Sequence, residues 1–407
     1  MLLLQRKTQF KILALLFFFL ISACSRTHNF EKKIITHSEA QMTLLLSEIQ
    51  NFYHRSPDSN EVSPRTLDAD GNLVMVKSKD WTSGFFPGVL WLLYELTGKE
   101  TWKNHARDFT KNLEQEKNNG STHDMGFKIY CSFGNSYRLT GDTRSRKIVI
   151  ESAYTLAKRF NPSVGCIRSW DHNRDKWSFP VIIDNMMNLE LLFSATRLTG
   201  DPTFREIAVI HANTTMENHF REDFGTWHVV DYHPDTGQVI KKNTHQGYNH
   251  DSTWSRGEAW ALYGFTLCYR ETRDKRYLEQ AENIASFILN HPNLPDDLVP
   301  YWDFDAPNIP DEPRDVSAAS IMASAFYELS RYSKNGSLYK RTADSIMSSI
   351  INGYMSRKKE AKGFILKHST GSAPSGSEVD VPLIYSDYYF LEALIRAMRL
   401  EKGDPVI

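Results

Sequence analysis

Apolar residues recur at offsets 0, 4, 7 and 11 in three stretches of the chain. These are Trp102, Ala106, Phe109, Leu113; Tyr277, Ala281, Ile284, Ile288; and Tyr339, Ala343, Ile346, Ile350. The period is that of an α-helix with one buried stripe and polar residues on its other faces. Phe204, Ala208 and Ala212 follow the rule more loosely, and the stretch from Thr143 has Ser145 where an aromatic is expected. A short turn precedes each stretch: Thr97-Gly98-Lys99, Thr140-Gly141-Asp142, Thr199-Gly200-Asp201, Thr272-Arg273-Asp274 and Ser333-Lys334-Asn335. A sixth turn follows at Lys402-Gly403-Asp404. Upstream of two of these turns, residues 188–198 and 259–269 are apolar or small on most faces, the mark of a buried helix. The repeat is therefore a buried inner helix, a tight turn and a half-exposed outer helix. Its uneven spacing implies long insertions on one side. An all-α barrel closed by six helix pairs is expected, rather than an open solenoid of equal repeats.

The N-terminus changes the picture of where the barrel begins. Arg6, Lys7 and Lys11 flank an unbroken apolar run from Ile12 to Ile21, too short to span a bilayer comfortably. Ile21-Ser22-Ala23-Cys24 then resembles a bacterial lipobox. Residues 1–23 are expected to be a cleaved leader, Cys24 a lipidated anchor, 24–36 a tether and 37–407 one domain. Such a protein would sit on the cell envelope, most simply facing the periplasm, with its lipid as its sole membrane contact. The formal charge is −1, and loss of those three bases with no acid takes it to about −4. No basic surplus exists to grip nucleic acid or a long polyanion. Cys131, Cys166 and Cys268 are odd in number and lack CxxC spacing, which argues against a disulfide framework or a zinc site.

Chemistry-bearing residues gather where the inner helices begin. Trp81, in Asp80-Trp81-Thr82-Ser83-Gly84, suits either a sugar-stacking platform or a plug at the barrel mouth. Asp124, in His123-Asp124-Met125, and Asp184, in Asp184-Asn185-Met186, open two neighbouring inner helices. Each alone reads as an N-cap; together they suit a carboxylate pair whose pKa values are pushed apart. Asp184 follows the apolar run Phe179 to Ile183, which favours a protonated carboxyl near neutral pH. His228, His233, His245 and His250 match no metal-ligand spacing, so no metal or other cofactor is expected. Arg256 and Trp260 share a helix face, an arrangement that suits an acidic sugar, although an ion pair with a neighbouring acid is the plainer use of Arg256. Gly371 to Ser377 is a Gly/Ser loop that either holds an anion or is simply a surface turn.

Together, HDMGF, DNMMNLELL, THQGYNHDSTWSRGEAWALYG and PRDVSAAS resemble the unsaturated glucuronyl hydrolases of glycoside hydrolase family 88, in order and approximate spacing. WTSGFFPG is a weaker match, because related barrel families share similar phrases. The resemblance implies an (α/α)6 barrel and hydration of the C4=C5 double bond that polysaccharide lyases leave on a terminal uronic acid. It implies Asp184 as acid/base and Asp124 as the assisting carboxylate. His228, Gln246, Arg256 and Trp260 fall where the family binds substrate. Trp81 and Trp170 look like stacking aromatics, and His123, Ser372 and Ser375 join the substrate-binding set. Some members follow the two serines with a lysine that helps bind sulfate; here that position is Ser377. A rhamnogalacturonyl hydrolase acting on pectin fragments and a non-catalytic glycan-binding lipoprotein remain as alternatives.

Overall fold

The computed structural model describes residues 31–405; the leader and Cys24 lie outside them. Helix α1 covers 31–55. Ile34, Met42, Leu45 and Ile49 fall on one helical stripe and are buried in the core. Residues 31–36, expected to be part of a tether, belong to this helix. A hairpin of β1 (Ser63–Leu67) and β2 (Leu73–Val76) follows.

Then come five inner–outer pairs. Helix α2 (Phe85–Thr97) pairs with α3 (Glu100–Lys111). A π-helical segment, Gly126–Gly134, runs on as α4 (Asn135–Thr140) and pairs with α5 (Thr143–Ala157). The chain then makes the short strands β3 (Phe160–Asn161) and β4 (Cys166–Ile167) before β5 (Pro180–Ile182). A 3₁₀ turn, Ile183–Asn188, leads into α6 (Leu189–Thr199), which pairs with α7 (Pro202–Asn218). Strands β6 (Val229–Tyr232) and β7 (Val239–Asn243) precede α8 (Ser255–Thr272) and α9 (Lys275–Asn290). Helices α10 (Val316–Leu329) and α11 (Gly336–Ser349) form the fifth pair, and α12 (Ile384–Lys402) is the last inner helix.

The inner helices close on themselves. Helix α2 packs on the π-helix, the π-helix on α6, α6 on α8, α8 on α10, α10 on α12, and α12 back on α2. The sixth outer helix comes from the other end of the chain. Helix α1 lies between the start of α3, where Glu39 meets Lys99 and Trp102, and the segment after α11, where Gln41 donates to the Phe364 carbonyl. Among the described residues, α1 thus takes the place of the sixth outer helix and completes the (α/α)6 barrel.

The repeated turns show why Thr-Gly-Asp recurs. Thr97, Thr140, Thr199 and Thr272 each donate to the carbonyl four residues back at 2.6–2.7 Å. Each Thr hydroxyl also accepts the N–H two residues on. The next residue caps the inner helix in the left-handed region, at φ 66° for Gly98 and 59° for Arg273, where glycine is strain-free and arginine is not. Asp142, Asp201 and Asp274 then cap the outer helices through their carboxylates. Removing one such cap costs about 1 kcal/mol. The fifth turn departs from this pattern: α10 ends on Ser330 in right-handed geometry.

The insertions lie at the inner-helix N-termini, and three small antiparallel sheets organise them. The order β5–β6–β7 matters most, because β5 runs into Asp184, β6 follows His228 and β7 leads towards His245 and Gln246.

Candidate active site

A cavity of about 500 Å³ opens where the inner helices begin. The segment before α2 contributes Trp81, and the segment before the π-helix contributes His123 and Asp124. The turn before α6 supplies Asp184, and the first turns of α8 and α12 supply Arg256 and Tyr385. The start of α10 takes part through Asp315, which caps that helix and grips Arg256 at 2.5 Å. A second, smaller space of about 70 Å³ lies inside the ring of inner helices, lined by Glu190, Glu392 and Arg396. It has room for a few waters and none for a sugar.

Asp184 is 8% exposed, and burial pushes its carboxyl up to about 7. The positive charge of Arg256 opposes that rise and the negative charge of Asp124 adds to it. A raised pKa alone does not mark a catalytic acid here. Burial pushes Glu258 and Asp387 to about 8, but both fasten the backbone: Glu258 accepts the Thr226 N–H, and Asp387 accepts the N–H groups of Ile365 and Leu366. Asp184 alone of the three lines the cavity; its Oδ2, like Oε2 of Glu258, has no hydrogen-bond partner.

His228 stands against Asp184, with Nε2 3.7 Å from Oδ2. Its Nδ1 accepts the backbone N–H groups of His245 and Gln246, both at 3.1 Å. That contact fixes the tautomer: Nδ1 is the acceptor, so the proton sits on Nε2, facing Asp184. Burial, with His245 and Arg256 nearby, holds the ring well below the usual histidine range and therefore neutral.

The second carboxylate is held by a different chain of contacts. Asn188 accepts the N–H groups of Gly126 and Phe127 through Oδ1, which leaves its Nδ2 facing Nδ1 of His123 at 3.4 Å. Nε2 of His123 then lies 3.3 Å from Asp124 Oδ1, and Thr122 donates to Asp124 Oδ2 at 2.5 Å. One DNMMN motif thus supplies both Asp184 and the residue that orients the other carboxylate.

Several expected substrate contacts are placed otherwise. Trp260 does not line the cavity: it is fully buried and packs against Phe127 and Tyr389. It sits one helical turn below Arg256, so the shared face carries it into the core. Arg256 reaches the cavity wall, yet its guanidinium is committed to Asp315 and to the carbonyls of Thr370 and Gly371. It supplies positive potential rather than a free fork for a carboxylate. His228 backs Asp184 and His123 backs Asp124, so both act first on the carboxylates.

Gln246 lines the cavity and donates to the Gly371 carbonyl. Trp81, Trp170, Ser372 and Ser375 line it too. Trp170 stacks on His172 at 5.4 Å. Among the described residues, no group of three or more histidine, cysteine, aspartate or glutamate side chains gathers in a metal-binding arrangement. Cys131, Cys166 and Cys268 are buried free thiols.

Sequence reasoning does not single out Arg65, Tyr385 or Glu378, all of which line the cavity. Tyr385 stands at the start of α12, as other site residues stand at the starts of inner helices, and that position is the available signal. Its hydroxyl has no protein partner. Arg65 carries no motif at all.

Comparison with known proteins agrees with this geometry. The model of Glycosyl Hydrolase Family 88 matches residues 53–389. The chain belongs to this family. It is 46% identical over 399 residues to an unsaturated glucuronyl hydrolase of Formosa agariphila, covering 97% of this chain and 99% of that one. Its structure resembles that of an unsaturated glucuronyl hydrolase specific for heparin, with a TM-score of 0.86 and 43% identity over 91% of this chain and 98% of that one. A mutant unsaturated glucuronyl hydrolase of Streptococcus agalactiae, complexed with dGlcA-GalNAc6S, is 30% identical, with a TM-score of 0.75 and coverage of 90% and 91%. The family membership makes this chain a glycoside hydrolase on the (α/α)6 barrel.

Proposed function

We propose that this protein hydrates the C4=C5 double bond of a terminal unsaturated glucuronyl residue on short, lyase-generated glycosaminoglycan oligosaccharides. The observation that carries the reading is Asp184, a buried cavity carboxyl pushed up to about 7 and thus able to hold its proton near neutral pH. Hydration of a vinyl ether begins with proton delivery to carbon, which needs such an acid. Asp184 protonates C4, and positive charge develops at C5 and the ring oxygen. Water then loses a proton to the Asp184 carboxylate as its oxygen bonds to C5. The resulting hemiketal opens by breaking the bond from C5 to the ring oxygen. That leaves a ketone at C5 and a hemiacetal at C1, which expels the leaving sugar.

The surroundings serve these steps. While Asp184 is briefly anionic, the Nε2–H of His228 faces it. The cationic character at C5 develops in the field of Asp124. Arg256 contributes positive potential, and the free Tyr385 hydroxyl gives a neutral donor for an acidic sugar. Similarity to the enzymes above supports the unsaturated uronate as substrate. The test is loss of the double bond's ultraviolet absorbance with unsaturated chondroitin, heparin and hyaluronan disaccharides, against a rhamnogalacturonan fragment. Preference for the pectin fragment in kcat/KM would overturn the glucuronyl reading.

We also propose that Cys24 carries a lipid that holds the protein to the cell envelope, most simply on the periplasmic side. The basic residues, the short apolar run and Ile21-Ser22-Ala23-Cys24 support this.

A further inference from the structure

The outer wall of the cavity holds a cation that is already neutralised. Arg65, on β1, lines the cavity and donates through Nε and Nη2 to the two oxygens of Glu378, at 2.6 and 2.7 Å. Its Nη1 donates to Asp80 at 2.9 Å. Asp80 is in turn fixed by the N–H and hydroxyl of Thr82. Three independent features place the Glu378 carboxylate. Its backbone adopts φ 56°, a left-handed conformation that a glutamate enters only when held. The segment facing it lacks a side chain at Gly371, where a Cβ would stand 2.5 Å from Glu378 Oε2. The bidentate grip of Arg65 completes the seat.

The charge on this wall therefore sums to minus one: one guanidinium against two carboxylates. The inner guanidinium, Arg256, is committed to Asp315 and two carbonyls. The wall lies towards solvent, next to the exposed Ser375 and Ser377, while Asp184 lies deep. Arg65 and Glu378 line the same cavity as Asp184, so this wall is within reach of the leaving sugar of a residue that reaches Asp184.

We propose that the Arg65–Glu378 pair sets specificity for the leaving sugar: Glu378 occupies the guanidinium face that an anionic substituent such as a sulfate ester would use, and so disfavours that substituent there. The inference rests on the hydrolase reading above. It makes the chain a selector for leaving sugars that are uncharged on the face presented to Arg65.

The experiment compares an unsulfated unsaturated chondroitin disaccharide with its counterparts bearing one sulfate on the leaving sugar, at each ring position. Glu378→Gln keeps the shape, removes one negative charge and frees the Nε/Nη2 face of Arg65, which stays paired with Asp80 through Nη1. The ratio of kcat/KM, sulfated over unsulfated, should rise about tenfold for at least one sulfate position, the scale of one charge change a few ångströms away in a partly screened site. Arg65→Met combined with Glu378→Gln should abolish that gain. A ratio within twofold of wild type at every position, in a variant that melts cooperatively, overturns the inference. Calorimetric binding of the same disaccharides in an Asp184→Asn background reads the same ratio without turnover. If no disaccharide is hydrated by the wild type yet the binding ratio shifts, the hydrolase reading fails and the selector stands. If turnover is normal and neither ratio shifts, the selector fails alone.

Discussion

Replacing Asp184 with asparagine should stabilise the fold, and should do so more at pH 8 than at pH 5. Burial raises this carboxyl from its ordinary 3.8 to about 7. In the unfolded chain it ionises near pH 4; in the native protein it stays protonated until about pH 7. Between those values the native state binds the extra proton, so stability declines as pH rises, by ~1.4 kcal/mol for each pH unit. The contribution is fully present below pH 4 and is lost once pH passes 7, a total of roughly 4 kcal/mol at most. The asparagine amide is neutral at every pH and escapes that loss. The variant should therefore melt at only slightly higher temperature than wild type at pH 5. The gap should widen to several degrees by pH 7.5 and then level off. Calorimetric melts of both proteins at half-unit pH steps give the comparison. A melting difference that does not change between pH 5 and pH 8 would refute the raised carboxyl and the acid role built on it.

Other consequences follow from the same geometry. In wild type, kcat/KM should fall with unit slope above about pH 7, as Asp184 loses its proton in the free enzyme; a flat profile from pH 6 to pH 9 would contradict this. His123→Phe removes the donor to Asp124 and should lower kcat by about tenfold with KM within threefold, because a stretched hydrogen bond to a charged group contributes ~1.4 kcal/mol. His123→Gln, which keeps a donor, should recover part of the rate; an equal loss in both variants would point to packing instead. The protein should fractionate with membranes through Cys24, and a Cys24→Ala protein as membrane-bound as wild type would contradict lipidation.

The barrel was legible because its repeat has a local cause. The offsets of Tyr277, Ala281, Ile284 and Ile288 report one buried stripe, and all four are buried. The Thr-Gly-Asp turns are legible because staple, left-handed cap and N-cap are each a one-residue preference. The first helix is not among the repeats read from the sequence, because no Thr-Gly-Asp phrase precedes Glu31. Asp184 was legible through its apolar lead-in, which is strand β5 and its flanks. Trp260 shows the limit of periodicity. Spacing of four says that it shares a face with Arg256, but not how deep along an inner helix the cavity reaches. The partner of Arg256 stands 59 residues away, and Glu378 lies 313 residues from Arg65. Contacts that close a barrel leave no local trace, so which cations are free is visible only in the fold.

The central claim is that Asp184 delivers a proton to C4. The most direct measurement follows an unsaturated glucuronyl disaccharide in deuterated water, by loss of absorbance and by the isotope content of the product. Wild type should place one solvent-derived deuterium at C4 as the absorbance disappears. Asp184→Asn should bind the disaccharide yet turn over at least ~10²–10⁴-fold more slowly. A folded Asp184→Asn protein that keeps more than about a tenth of wild-type turnover, or a wild-type product without deuterium at C4, would contradict the account.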